Sequence, residues 1–298
     1  MSWRVLYVEE SDSLSLYLDN IRVKKGTNEY TFPLSDISLV IVDNYKITLS
    51  INLLNACSLN NIPFISCGDN HHPLCILLPL HGHFESSKIL FDQLKWSEEY
   101  KSKLWKFIVK KKIEGQRFVL NHLNKDSESI SILDKYINEI EPFDSTNREG
   151  LAAKVYFRAL FGNNFSRRDE TTINACLNYG YSIIRAMICK VIVAKGLNTQ
   201  LGIFHKGPEN AFNLADDIIE IFRPIVDLFV CQRFLNEKIF TRDIRLKILE
   251  LINYKIIVNE QKCTINHAIE KIVDGIIQFF NNGNLSNLIS FEPVAYDL

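Results

Sequence analysis

The first eighty residues alternate apolar and polar positions in short bursts. WRVLYV, LSLYL, IRVK, ISLVIV, PFISC and LCILLP are rich in β-branched and aromatic residues and are separated by turn residues. That is the pattern of strands. LSLYLDN running into IRVKKG predicts a hairpin that turns at Asp19-Asn20. Only the stretch from Ile47 to Asn61 has helical spacing, with Ile47, Ile51 and Leu54 on one side. Between Phe84 and Trp96 the character changes, and residues 85–96 read as a linker. Beyond it the period is helical. KSKLWKFIVKKKIEGQRFVLNHL sets Trp105, Val109, Ile113, Leu120 and Leu123 at helical spacings. SISILDKYINEI, REGLAAKVYFRALFG and the long TTINACLNYGYSIIRAMICKVIVAK follow, the last ended by Gly196. RDIRLKILELI and TINHAIEKIVDGIIQFFN close the chain as amphipathic helices joined by a loop around Asn259 to Lys262, with a loosely held tail from Gly283. The expected fold class is α+β: a small β-rich N-terminal domain over residues 1–84, then an all-α C-terminal catalytic domain over residues 97–298. No internal repeat is visible.

Composition narrows the class. A chain of 298 residues with 47% hydrophobic content is globular and long enough for one large or two ordinary cores. No apolar run reaches spanning length, and MSWRVLYVEE is not a signal peptide, so no membrane role is expected. Lys and Arg number 34 against 35 acids. Any nucleic-acid partner must therefore be held by a local patch. Seven cysteines, an odd number without CxxC spacing, fit reduced thiols in a cytoplasm. Cys67, His71, His72, Cys75, His81 and His83 crowd one region. Their spacing matches no standard zinc pattern, and a turn between two strands built on Gly68, Asp69, Asn70 and Pro73 is the preferred reading.

The stretch GIFHKGPENAFNLADDIIEIFRPIVD, Gly202 to Asp227, is where chemistry concentrates. His205 stands in a loop before an apolar helix that carries Asp216, Asp217 and Glu220. Asp217 and Glu220 share one helix face. Two readings stand: acids that complement the helix dipole, which suits Asp216 and Asp217, or a metal site, which accounts for the deeper Glu220. Pro224 should bend or divide the helix. Glu149 has two readings as well. Thr146 followed by Glu149 fits a capping box, and Glu149 also suits a metal ligand contributed by a second helix. The helix holding Lys101, Lys103, Lys106, Lys110, Lys111, Lys112 and Arg117 is either a solvated face or a phosphate-binding stripe.

REGLAAKVYF, INACLNYGYSIIRAMI and LGIFHKGPENAFNLADDIIEIFRPIVD, in that order, resemble the integrase family usually called CRISPR-associated protein one, and most closely its type II subgroup. The resemblance runs over nearly the whole chain. LNYGY and the ADDIIEIFRP segment, in register with the upstream histidine, are its most specific parts. It implies metal ligands and catalytic residues at Glu149, His205 and Glu220, with Asp217 a further acid lining the site. Glu220 stands where many relatives have aspartate, and Ile221 where many type II relatives have proline. The implied cofactor is Mg²⁺ or Mn²⁺. The implied reaction is transesterification, in which prespacer 3′ ends attack the edges of a CRISPR repeat. Lys206 and Arg223 would steady phosphate charge, and Lys110, Lys111, Arg167 and Arg168 would add to DNA affinity. The implied partners are a second copy of the chain, a small second adaptation protein, prespacer and repeat DNA, the type II RNA-guided effector nuclease and an accessory adaptation protein. Two other functions are weighed against this: a DNA-holding subunit without chemistry, and an unrelated metal-dependent phosphohydrolase.

Overall fold

The computed structural model describes residues 4–80 and 82–292. The chain divides into two compact units, Met1–Leu90 with Cys189–Leu197, and Phe91–Ile188 with Asn198–Leu298.

The first unit holds β1 (Arg4–Val8), β2 (Ser13–Tyr17), β3 (Asn20–Lys25), β4 (Asn28–Pro33), β5 (Ile37–Val42), β6 (Thr48–Leu49), α1 (Ile51–Leu59), β7 (Phe64–Cys67) and β8 (Pro73–Leu77). One sheet runs β1-β5-β7-β8, with β1, β5 and β7 parallel and β8 antiparallel. All of β5, ISLVIV, is buried, as expected of a strand covered on both faces. The second sheet runs β4-β3-β2-β6. Leu14, Ile21, Val40, Val42, Leu53 and Phe64 meet in one core.

The predicted strands are present, with local corrections. Tyr17 pairs with Asn20, so the first hairpin turns on Leu18-Asp19, one residue earlier than expected. Both turn residues take the left-handed conformation that a two-residue hairpin demands. β4 went unread because its positions are largely exposed and carry no apolar alternation. The helix predicted from Ile47 begins only at Ile51, capped by Ser50, which accepts a hydrogen bond from the Leu53 amide. β6 occupies the residues before it. The crowded Cys and His segment is a β7–β8 turn, as preferred, while His81 lies outside the described residues.

The region read as a linker contains a helix, α2 (Ser86–Leu94). The second unit then holds α3 (Glu98–His122), α4 (Ser127–Asn138), α5 (Arg148–Phe161), α6 (Thr172–Ala194), α7 (Asn213–Ile219), α8 (Arg223–Phe234) and α9 (Arg242–Leu249). β9 (Lys255–Val258), β10 (Gln261–Thr264), α10 (Ile265–Asn282) and β11 (Phe291–Glu292) follow. The last residues of α6 belong to the first unit.

The expectation of an all-α second domain needs one correction. β10, β9 and β11 form a small antiparallel sheet. The loop expected around Asn259 is a hairpin turn, with Asn259 and Glu260 both left-handed. Strands of four residues are too short to show a period. A second correction concerns α6, which by length and composition could cross a membrane. Its most apolar window is 72% buried within the protein, so it is read as a core helix.

Candidate active site

Glu149 sits in the first turn of α5, and its cap differs from the expected box. Asn147 is the capping residue, its Oδ1 accepting from the Gly150 amide. Asp144 accepts the Arg148 and Glu149 amides at 2.8 and 2.9 Å. With these donors already satisfied, the Glu149 carboxylate is released from capping and reaches toward α3. There its Oε1 lies 2.5 Å from the Lys112 Nζ.

Glu220 is delivered by the break that Pro224 enforces. α7 ends at Ile219, Glu220 follows it, and Pro224 falls in the first turn of α8, where its missing N–H costs nothing. The Glu220 Oε2 contacts the same Lys112 ammonium, and its Oε1 accepts from the Arg223 Nε at 2.8 Å. Oε2 has no aligned hydrogen bond. Lys112 can stand there because Gly115, one turn on, lets α3 close on α8. A Cβ at Gly115 would lie 2.9 Å from the Pro224 Cγ.

His205 is held in its loop by Asp217. The Asp217 Oδ2 accepts the Ile203 and Phe204 amides at 2.5 and 3.1 Å. Its Oδ1 accepts the His205 amide at 3.1 Å and faces the imidazole Nδ1 at 2.7 Å. The proton therefore sits on Nδ1, and Nε2 of a neutral ring carries the free lone pair. Phe204 stacks on the buried Trp105, and the imidazole meets both rings edge-on.

The charges agree with this grouping. The hydrogen bond to Asp217 raises the His205 pKa against the opposing effect of burial, and the charges of Asp217, Glu220 and Glu149 add to the rise. Burial alone would neutralise Lys112, but the Glu220 and Glu149 charges outweigh it and hold the ammonium charged. Burial likewise opposes ionisation of Glu220, yet Arg223 and Lys112 bring its carboxyl down to about 2. Glu149 and Glu220, drawn from distant parts of the sequence, thus share the Lys112 ammonium, while His205 is held by Asp217 on the segment that leads to Glu220. Asp217 differs from them, because both of its oxygens are committed to the His205 loop.

Residues 6–247 match the family described as CRISPR associated protein Cas1. The chain is 33% identical over 276 residues to the CRISPR-associated endonuclease Cas1 of Neisseria meningitidis serogroup C, covering 92% of this chain and 90% of that one. A Cas1 endonuclease of Francisella tularensis subsp. novicida is 25% identical, with 87% and 90% covered. The chain belongs to the Cas1 family. Solved structures with the same fold include a casposase bound to integration product, at TM-score 0.78 and 19% identity over 99% of this chain and 96% of that one. A Cas1 protein from Thermotoga maritima gives TM-score 0.77 at 15% identity, with 94% and 97% covered. A Cas6-RT-Cas1–Cas2 complex gives 0.73 at 17% identity, with 96% of this chain and 36% of that one covered.

Next to Arg223, the LNYGY segment joins α6 to α8. A Cβ at Gly180 would lie 2.5 Å from the Val226 Cγ1, so α6 and α8 pack closely there. Tyr181 donates its hydroxyl to the buried Asp227. The guanidinium of Arg223 lies 4.4 Å from the Tyr181 ring centre, and that of Arg167 lies 5.4 Å from it.

The remaining candidates are spread out. Lys110 and Lys111 pair with Glu114 on α3. Lys101, Lys103 and Arg117 pair with Glu98, Glu99 and Asp134, so much of the expected stripe carries both signs. Lys112 leaves the stripe altogether. Arg167 forks onto Asn174 and Asn178, a structural use. Arg168 is exposed, and Lys206 lies 3.6 Å from Glu98. Sequence reading missed Lys112, Asp144 and Trp105 as site residues. A helical wheel holds the signal for Lys112, since it falls in phase with Trp105, Ile108 and Val109 on the buried face.

Among the described residues, a different trio brings its donor atoms within 4.8 Å of one another: Glu9, Asp43 and His71 in the first unit. There Asp43 accepts from Tyr7 and faces the His71 Nδ1 at 2.9 Å.

Proposed function

We propose that this chain is a metal-dependent DNA integrase and endonuclease of CRISPR adaptation, joining prespacer 3′ ends to a CRISPR repeat. The observation that carries the reading is the meeting of Glu149 and Glu220, from separate segments of the chain, on one Lys112 ammonium, with an imidazole tied back by Asp217 on the segment that leads to Glu220. Two hard carboxylates and one imidazole are a donor set suited to Mg²⁺ or Mn²⁺. The buried Glu220 Oε2 already faces the Lys112 ammonium, as fits a site built to hold positive charge. Glu149, Glu220 and His205 would be the ligands, and Asp217 is assigned the positioning of His205 rather than ligation. The cation, when bound, would lower the pKa of a DNA 3′-hydroxyl and polarise the target phosphate.

The protein's own groups do the rest. Asp217 fixes the imidazole tautomer, so in the neutral ring Nε2 carries the lone pair that a cation would use. Arg223, clamped between Glu220 and the Tyr181 ring, offers its remaining donors to a phosphate. Lys206, Lys110, Lys111 and Arg168 add non-specific phosphate contacts. A homodimer joined by a small second adaptation protein is the proposed assembly. A Cas2 partner is supported by likeness to the Cas1–Cas2 complex, and membership of the type II subgroup by the LNYGY and ADDIIEIFRP segments.

The test is a strand-transfer assay with prespacer, repeat DNA and the second adaptation protein in Mg²⁺ or Mn²⁺. Glu149→Gln should bind prespacer like the wild type and lose strand transfer about a hundredfold or more. A wild-type protein without strand transfer under these conditions would instead be a DNA-holding subunit.

A further inference from the structure

The carboxylate pair already has an occupant. Lys112 projects from the apolar face of α3, its side chain 7% exposed, and its ammonium contacts both Glu149 and Glu220. No surface requirement explains a lysine there, because its neighbours in helical phase are Trp105, Ile108, Val109 and Val119. A buried ammonium is costly unless its partners match it closely. Here they do. The negative charges of Glu149 and Glu220 are balanced by Lys112 and Arg223. Asp217 is engaged separately, its oxygens accepting from three backbone amides and facing the His205 ring.

This balance has an electrostatic consequence, which rests on the reading of Glu149, Glu220 and His205 as a metal site. A divalent cation entering a neutral cluster brings two uncompensated positive charges and meets Lys112 at close range. A DNA phosphate arriving with it supplies negative charge at the same place. We infer that Lys112 is the resident counter-ion of the Glu149–Glu220 pair, and that it keeps divalent-cation binding weak until a DNA phosphate joins the site. The lysine serves the metal-free protein, holding two carboxylates together that would otherwise repel. It also makes metal loading depend on substrate, so the nucleolytic site is charged mainly where DNA is already bound.

The test is Mn²⁺ titration of the full-length protein, followed by electron paramagnetic resonance of the free ion, with and without a short duplex. Glu149→Gln with the same duplex sets the baseline for ions held by DNA alone. Wild type should bind Mn²⁺ at least about tenfold more tightly with duplex than without. Lys112→Met should bind Mn²⁺ about tenfold more tightly than wild type in the absence of DNA, with a smaller further gain from duplex. Its metal-free melting temperature should fall, and added Mn²⁺ should restore it more than in wild type. Should Lys112→Met fold poorly, Lys112→Gln, which keeps one donor to the pair, should shift in the same direction. The duplex dependence of the wild type needs no variant. Metal affinity lost in Glu149→Gln but unchanged or weakened in Lys112→Met overturns the counter-ion role and leaves the metal reading standing. A wild-type affinity indifferent to duplex overturns the inference as well. Equal Mn²⁺ binding by wild type and Glu149→Gln overturns the metal reading, and the inference with it.

Discussion

His205, Asp217 and Asp227 show how differently polar side chains around the site can be employed. The His205 ring is part-exposed in a loop, so His205→Ala removes little packing. The expected outcome is normal folding, near wild-type DNA binding, and strand transfer lower by about a hundredfold or more. Gel-shift and strand-transfer assays on the same preparation check it. Asp217 carries more structure, because four donors converge on it. Asp217→Asn replaces a charged acceptor by a group that must turn an N–H toward other N–H groups, and about 3 kcal/mol of stability should be lost along with His205 alignment. Denaturant unfolding measures the first effect, and the pH profile of strand transfer reads the second. Asp227 gives a pH prediction. Burial pushes its carboxyl up to about 6, against the pull of the Tyr181 hydrogen bond and the nearby arginines. The folded state then binds the proton more tightly than the unfolded chain. Its contribution is fully present below about pH 4 and is lost as pH rises through about 6. Asp227→Asn lacks this titration. Its stability relative to wild type should rise between pH 4 and 7, by up to about 3 kcal/mol. Unfolding curves of both proteins across that range decide the point.

The elements around the site depend on two close approaches. α3 meets α8 at Gly115, and α6 meets α8 at Gly180. The neighbour at Gly115 is the Pro224 ring, which has no rotamer to retreat into. Gly115→Ala should therefore cost about 1–3 kcal/mol, measured by denaturant unfolding, and should lower strand transfer by moving Lys112 against the carboxylates. Helices as long as α3, α5, α6 and α10 were legible in the sequence because many turns repeat the same apolar phase. The break between α7 and α8 was legible too, from the chemistry of Pro224 alone. β4, β9 and β10 were not. β4 is mostly exposed, and the other two are four residues each, held by pairing across their small sheet rather than by their own pattern.

For the whole molecule, the balance of 34 basic and 35 acidic residues means DNA must be held by a local surface. Lys110, Lys111 and Arg168 are candidates for that surface, whereas Arg167 is engaged by Asn174 and Asn178. Neutralising Lys110, Lys111 and Arg168 together should flatten the salt dependence of DNA binding, by about one unit of slope for each phosphate they neutralise in the wild type. Sequence preference should change little. An unchanged slope would return Lys110 and Lys111 to a solvated face paired with Glu114, and Arg168 to an exposed loop position. The sequence by itself determined that a strand-rich part precedes a helical one, and that His205, Asp217 and Glu220 belong to one short stretch. It did so because periodicity and proximity along the chain are local properties. Only the tertiary structure removed capping as the use of the Glu149 carboxylate, because Asp144 and Asn147 take over the capping and leave it to Lys112. It also separated Asp217 from the other acids, by aiming three backbone amides at it. And it moved Lys112 from a basic stripe into contact with Glu149 and Glu220. A lysine in a run of lysines looks the same on paper whichever way it points, and its direction follows from where α3 finds room, at Gly115 against Pro224.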